Sequence, residues 1–277
     1  MIRQTLRRHG RLLAWLYLVE LGVASIVTLA VGWTFGEVFA ERPIFDRGVA
    51  GDLAALALSF QGRTGVVVAL ACAGVAVLLF WAVFSWYLGA GLLGVFAGRA
   101  FGETAASRFW SFARLSLWTL VPWGIAFFLV ALGLGAFGEH ILEVQTWGGF
   151  FGAIVLHLLP GILAVALCAC VVDHARVLLV TDPGPQPSAG RALAGAFRLV
   201  LRRPAPYGRF LLYLAFWAAV SLLYLAVTSG RAYAGPAGAV ALFLIWQVTL
   251  GLRFVGRATL SASQVAYVTE RAGPPAP

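Results

Sequence analysis

Four ionisable side chains fall where the surrounding residues predict hydrocarbon: Glu20, Asp173, Arg176 and Arg253. A charge inside a bilayer is costly. It persists where it faces the interior of a helix bundle and finds a partner of opposite sign. Asp173 and Arg176 are three residues apart, a helical spacing at which side chains meet. At about 1.5 Å of rise per residue, Glu20 lies roughly 12 Å along the run that begins at Leu12. The four are expected to form one polar cluster in the cytoplasmic third of the membrane. Such a cluster admits two readings: an ion pair that fixes helix packing, or a relay for protons, ions or lipid headgroups.

A second constellation is basic. Arg191, Arg198 and Arg202 are seven and four residues apart and share one helical face, while Leu193, Phe197, Val200 and Leu201 take the opposite one. Ser188 suits the N-cap of that helix, and Pro204 bounds it. The pattern fits a helix on an anionic leaflet with its arginines toward headgroups. It equally fits a solvated basic face whose apolar side rests on the bundle.

The remaining candidates point to structure. His157 lies three residues before Pro160, where a proline leaves a backbone carbonyl without its donor and an imidazole can satisfy it; proton handling is the alternative. Cys72, Cys168 and Cys170 sit inside apolar runs and read as small buried side chains. The sequence has no H-E-x-x-H, no G-x-S-x-G and no Walker loop. An enzyme is therefore disfavoured, and neither a cofactor nor a metal is expected.

The elements that must position these residues follow from composition. The chain of 277 residues is 61% hydrophobic and 11% charged, against roughly a quarter charged in soluble domains. Apolar runs of membrane length recur along it. The expected fold is all-α: six transmembrane helices, at about 12–35, 64–98, 115–137, 147–180, 210–228 and 233–256, in one domain over 1–272. The residues after 272, Gly273-Pro274-Pro275-Ala276-Pro277, read as a disordered tail. Short amphipathic interfacial helices are expected between spans. One uses Val49, Leu53, Leu56 and Phe60. A second, over 99–114, carries Phe101, Ala105, Phe109 and Phe112. The arginine helix is the third. A G-x-x-x-G spacing at Gly94 and Gly98 suggests close helix packing, and Pro122 a kink.

The net charge of +9 arises from arginine alone, since the chain has no lysine. Together with abundant Ala, Gly, Leu and Val, this suggests a GC-rich bacterial genome. With so many apolar runs, the basic balance points to anionic lipid and not to nucleic acid. Sixteen arginines fall in the N-terminal segment and alternate loops, against four in the others. The positive-inside rule then places both termini in the cytoplasm of a bacterial inner membrane. Basic segments before the first, third and fifth runs hint at three repeated hairpins.

The stretches Asp173-His174-Ala175-Arg176-Val177-Leu178-Leu179-Val180, Ser188-Ala189-Gly190-Arg191-Ala192-Leu193 and Arg202-Arg203-Pro204 resemble a family of bacterial six-span membrane proteins. That family is similar to the membrane domain found beside some glycerophosphodiester phosphodiesterases. The resemblance covers mainly residues 170–215, with a weaker echo at Phe109-Trp110-Ser111-Phe112-Ala113-Arg114-Leu115. No phosphodiesterase domain is present, so that activity does not carry over. The resemblance implies an all-helical integral membrane protein of unassigned role. The expectation from the whole sequence is a non-enzymatic accessory or scaffold protein that contacts anionic lipid or a membrane partner through its basic helices. The alternative is a small-solute, ion or lipid transporter built on the Glu/Asp/Arg cluster.

Overall fold

The computed structural model describes residues 2–39, 64–141, 144, 146–184, 187–228 and 235–272. Among these, every regular element is a helix. In chain order they are α1 (Ile2–Phe39), α2 (Thr64–Phe96), α3 (Phe101–Ile141), α4 (Trp147–Ala153), a π-helical turn (Ile154–Leu158), α5 (Leu159–Thr181), α6 (Ala189–Arg202), α7 (Pro204–Thr228) and α8 (Gly235–Ala272). Five stretches are long and apolar enough to cross a bilayer: Ala71–Phe96, Phe101–His140, Gly148–Thr181, Pro204–Thr228 and Val240–Glu270. The expected helix at 49–60, the turn before the last helix and the tail lie outside the described residues.

Contacts divide the chain into two compact units, Arg11–Ser85, and Met1–Gly10 with Trp86–Pro277. The first holds most of α1 and the leading part of α2. There α2 exposes Val75, Leu78, Leu79, Phe80, Trp81 and Val83. A helix apolar on all sides needs an apolar surround.

In the larger unit, α2 ends at a tight corner. Gly98 adopts φ +78°, the left-handed conformation open to a residue without Cβ. The Arg99 amide donates to the Gly94 carbonyl at 2.8 Å and the Gly98 amide to Val95 at 3.1 Å. This is the Schellman pattern that stops a helix. The G-x-x-x-G spacing is thus not a packing stripe. Gly98 is a helix stop with open space around it, while Gly94 makes room for α3. A Cβ on Gly94 would come within 2.5 Å of the Thr104 side chain, and one on Gly91 within 2.6 Å of Phe101.

The expected interfacial helix at 99–114 and the third span form one continuous helix, α3, 41 residues long with Pro122 inside it. At about 1.5 Å per residue it runs roughly 60 Å, twice the hydrocarbon thickness. It forms an antiparallel hairpin with α5. Gly161 lies against Val130, where a Cβ would meet the Val130 Cα at 3.0 Å. Gly133 lies against the backbone carbonyl of His157, with which an added Cβ would collide. The first half of the fourth run is helical through α4 and then widens: the Leu159 amide bonds to the Ile154 carbonyl, five residues back, just before Pro160. A π turn of this kind accommodates a proline that lacks its own donor.

α6 packs on α3 and α5 through Ala189, Leu193, Ala196 and Val200. Of the expected apolar face, Leu201 is instead 66% exposed, and Ala196 takes a core position. The last two helices start or end beyond the expected spans, α7 from Pro204 and α8 through Ala272. They pair antiparallel, with Tyr224 against Trp246 at 5.3 Å and Gly256 against Tyr213 and Phe216.

Burial is polarised along this unit. Exposed large apolar side chains concentrate at Leu117–Leu134 of α3, Phe151–Leu163, Leu212–Leu225 of α7 and Val240–Leu252 of α8. Most buried ones lie at the other end, including Phe112, Leu115, Val171, Val177, Leu179, Leu193, Leu260 and Val265. The longest of these stretches, Leu117–Leu134, would span roughly 27 Å as a helix, close to a hydrocarbon core.

Candidate functional site

The packed end of the larger unit is organised on the last four turns of α5. Val171, Val172, Asp173, His174, Ala175, Val177, Leu179 and Val180 are all buried there. Because α5 is enclosed by α3, α6, α7 and α8, polar residues on it meet protein groups, where the sequence alone suggested hydrocarbon. Asp173 is 6% exposed. Its Oδ1 accepts a hydrogen bond from Nη2 of Arg257 on α8 at 2.5 Å, and the Arg257 side chain stays 40% exposed. The second oxygen, Oδ2, is buried and makes no hydrogen bond among the described residues. A carboxylate so placed is held by one guanidinium that also reaches the outside.

The four expected members of the cluster are only partly brought together. Arg176, half-buried one turn on from Asp173, has Asp173 and Arg257 as its electrostatic neighbours. Arg253 is not the partner of Asp173. It is exposed and lies over the Trp217 ring at 4.9 Å, a cation–π contact between α8 and α7. The partner is Arg257, one helical turn further along α8, outside the boundary expected for the sixth span. Glu20 lies in the other compact unit and is half-buried.

Next to Asp173, His174 is 1% exposed. Its Nδ1 lies 2.9 Å from the Cys170 carbonyl, one turn back. A carbonyl only accepts, so Nδ1 carries the proton, and in the neutral ring Nε2 is the acceptor. Cys168 and Cys170 are buried, as expected of small apolar residues, whereas Cys72, on α2, is exposed and not buried as expected. Tyr207 at the start of α7 donates its hydroxyl to the Leu163 carbonyl at 3.0 Å, and Arg209 lies over the Tyr267 ring at 5.3 Å.

The basic constellation survives intact as a surface. Ser188 caps α6, its Oγ accepting from the Arg191 amide at 3.4 Å. With Leu193, Ala196 and Val200 buried, Arg191, Arg198 and Arg202 are all exposed. The apolar side rests on the bundle and the arginines are free to meet an external anion.

Sequence reasoning missed Arg108. It is 4% exposed. Its Nη1 donates to the Gly184 carbonyl at 2.7 Å and its Nη2 to the Asp182 carbonyl at 2.8 Å. Asp182 Oδ1 in turn accepts from the Gly184 amide at 2.7 Å. One guanidinium fork therefore fastens the proline-rich turn that links α5 to α6. The signal was in the sequence: at about 100° per residue, position 108 falls beside Phe101 at the edge of the apolar face made by Phe101, Ala105 and Phe112. An arginine there must have internal acceptors.

His157 does not serve the carbonyl freed by Pro160. It sits in the π turn, its Nε2 is buried with no hydrogen bond among the described residues, and its ring centroid is 5.4 Å from that of His140 on α3. Among the described residues, no three His, Cys, Asp or Glu side chains are grouped to hold a metal.

Helical throughout its described regular elements, with five helices fit to span a bilayer and a half-buried ion pair at the packed end, the chain has the build of a multi-pass membrane protein. No family model, curated protein or solved structure matches the chain.

Proposed function

We propose that the chain is a multi-pass protein of the bacterial inner membrane, with α1 as a sixth crossing and both termini in the cytoplasm. Its role in this reading is accessory and non-enzymatic: it engages anionic lipid, or a membrane partner of like charge, through the basic face of α6. The relation to the six-span family beside glycerophosphodiester phosphodiesterases belongs to the same proposal. The observation that carries it is the division of α6: Leu193, Ala196 and Val200 turned into the core, Arg191, Arg198 and Arg202 exposed. A helix anchored on one side cannot bury those arginines, so they act outward. Each contributes about 1 kcal/mol near an anionic leaflet. Three amount to about 3 kcal/mol, on the order of 100-fold in affinity.

The test uses the purified full chain and nanodiscs, comparing phosphatidylglycerol with phosphatidylcholine by native mass spectrometry of retained lipid. Retention of phosphatidylglycerol that falls in the triple variant Arg191→Gln, Arg198→Gln, Arg202→Gln, and in high salt, supports the reading. Equal retention of both lipids by the natural chain refutes it.

The second reading, transport of a small solute, ion or lipid, is favoured by the unpartnered Asp173 Oδ2 beside an Arg257 that reaches the outside. Proteoliposome flux abolished by Asp173→Asn at unchanged protein level would select it.

A further inference from the structure

The two imidazoles at the end of the α3–α5 hairpin away from the arginines are not used by either reading. His140 is on the last turn of α3 and exposed. His157 comes from the π turn of the facing segment, and the ring centroids are 5.4 Å apart, with their planes inclined by 56°. Imidazole nitrogens lie little more than 1 Å from the ring centre, so this separation allows two of them to reach one ion at about 2.0–2.1 Å each.

Three features make the pair more than a coincidence of surface residues. His157 Nε2 is buried without a hydrogen bond among the described residues, and a buried polar atom without a partner is costly. The backbone that carries it is widened by a π turn, a distortion frequent at functional sites. It is also pressed against Gly133, the one residue type that leaves room for the His157 carbonyl. The ring is thus placed by backbone packing. Finally, His140 belongs to the carbonyl end of a long helix, where the dipole favours a cation.

We propose that His140 and His157 form a two-imidazole site for a divalent transition-metal ion of the class that imidazole suits, Cu2+, Ni2+ or Zn2+. No third His, Cys, Asp or Glu joins them among the described residues. In this proposal the ion's remaining positions are taken by water or an incoming ligand, the open coordination of a site that exchanges its cargo or acts on a bound molecule.

The experiment is Cu2+ titration of the full chain, purified in detergent without a histidine tag and stripped with chelator, read by electron paramagnetic resonance. The expected result is one ion per chain with hyperfine coupling to two imidazole nitrogens. His140→Ala and His157→Gln should each weaken binding roughly tenfold or more, since even outer-shell partners of a ligand are worth 10- to 100-fold. His9→Ala should leave it unchanged. His140 is exposed, so its variant keeps the fold and carries the test if His157→Gln does not express. No stoichiometric binding, or binding undiminished in His140→Ala, overturns the proposal.

Discussion

The two ends of the Asp173–Arg257 pair differ in exposure, which makes an asymmetric prediction. The Asp173 side chain is 7% exposed and that of Arg257 40%. Removing Arg257 strands a buried carboxylate whose other oxygen already has no hydrogen bond among the described residues. Removing Asp173 leaves a guanidinium that can turn to water. Breaking a fully buried pair costs about 3–5 kcal/mol. Here Arg176, within electrostatic reach of Asp173, offsets part of it, leaving about 2 kcal/mol for Arg257→Leu. Asp173→Asn keeps the shape and leaves an Arg257 that can turn to water beside the half-buried Arg176, and should cost less, about 1 kcal/mol. The double variant should be more stable than Arg257→Leu alone, because an amide needs no counter-charge. At about 2–4 °C per kcal/mol for a chain of this size, thermal unfolding in one detergent should show shifts of roughly 4–8 °C for Arg257→Leu and less than half of that for Asp173→Asn. Equal shifts for the two single variants, or a double variant no better than Arg257→Leu, would refute the reasoning.

Three further outcomes follow from the packing. Arg108→Ala removes two charge-assisted hydrogen bonds to the turn after α5 and should cost about 1.5–3 kcal/mol; faster amide exchange at Asp182 and Gly184 checks it. Gly161→Ala should destabilise through its contact with Val130, while Gly124→Ala on α3, with nothing within 4 Å, should gain up to about 1 kcal/mol from helix propensity; paired melting curves decide, and a gain at both sites contradicts the packing. His9 lies edge-on to Phe96 at 5.3 Å, and burial, with the Arg8 charge second, holds its imidazole below its ordinary value. The charged ring is thus disfavoured in the fold. Its contribution to stability is present at high pH and lost as pH falls through about 6.5 toward the folded value; an NMR titration of His9 with a midpoint above 6.5 would contradict this.

What was legible in the sequence was periodic. Of the six expected spans, the last five coincide with stretches long and apolar enough to cross a bilayer, the Ser188 cap and Pro204 bound α6, and the seven-and-four spacing of its arginines survives as an exposed face. What was not legible depends on where the protein stops and lipid begins. Asp173 sits in a hydrophobic run, and a run of valine and leucine reads the same whether lipid or protein covers it. Its true partner, Arg257, was placed beyond the expected last span because α8 continues four turns past that boundary. Gly98 shows the opposite limit: the spacing of two glycines cannot distinguish a packing stripe from a left-handed helix stop. The π turn has no signature beyond Pro160, since it records a compromise between a missing amide and the approach of Gly133.

That approach also restricts how the molecule can move. Sliding α3 by one turn would bring Leu129 or Phe137 to the place where Gly133 now admits the His157 carbonyl, and neither fits. The α3–α5 pair is therefore a keyed shaft, blocked from axial travel by the close approach at Gly133.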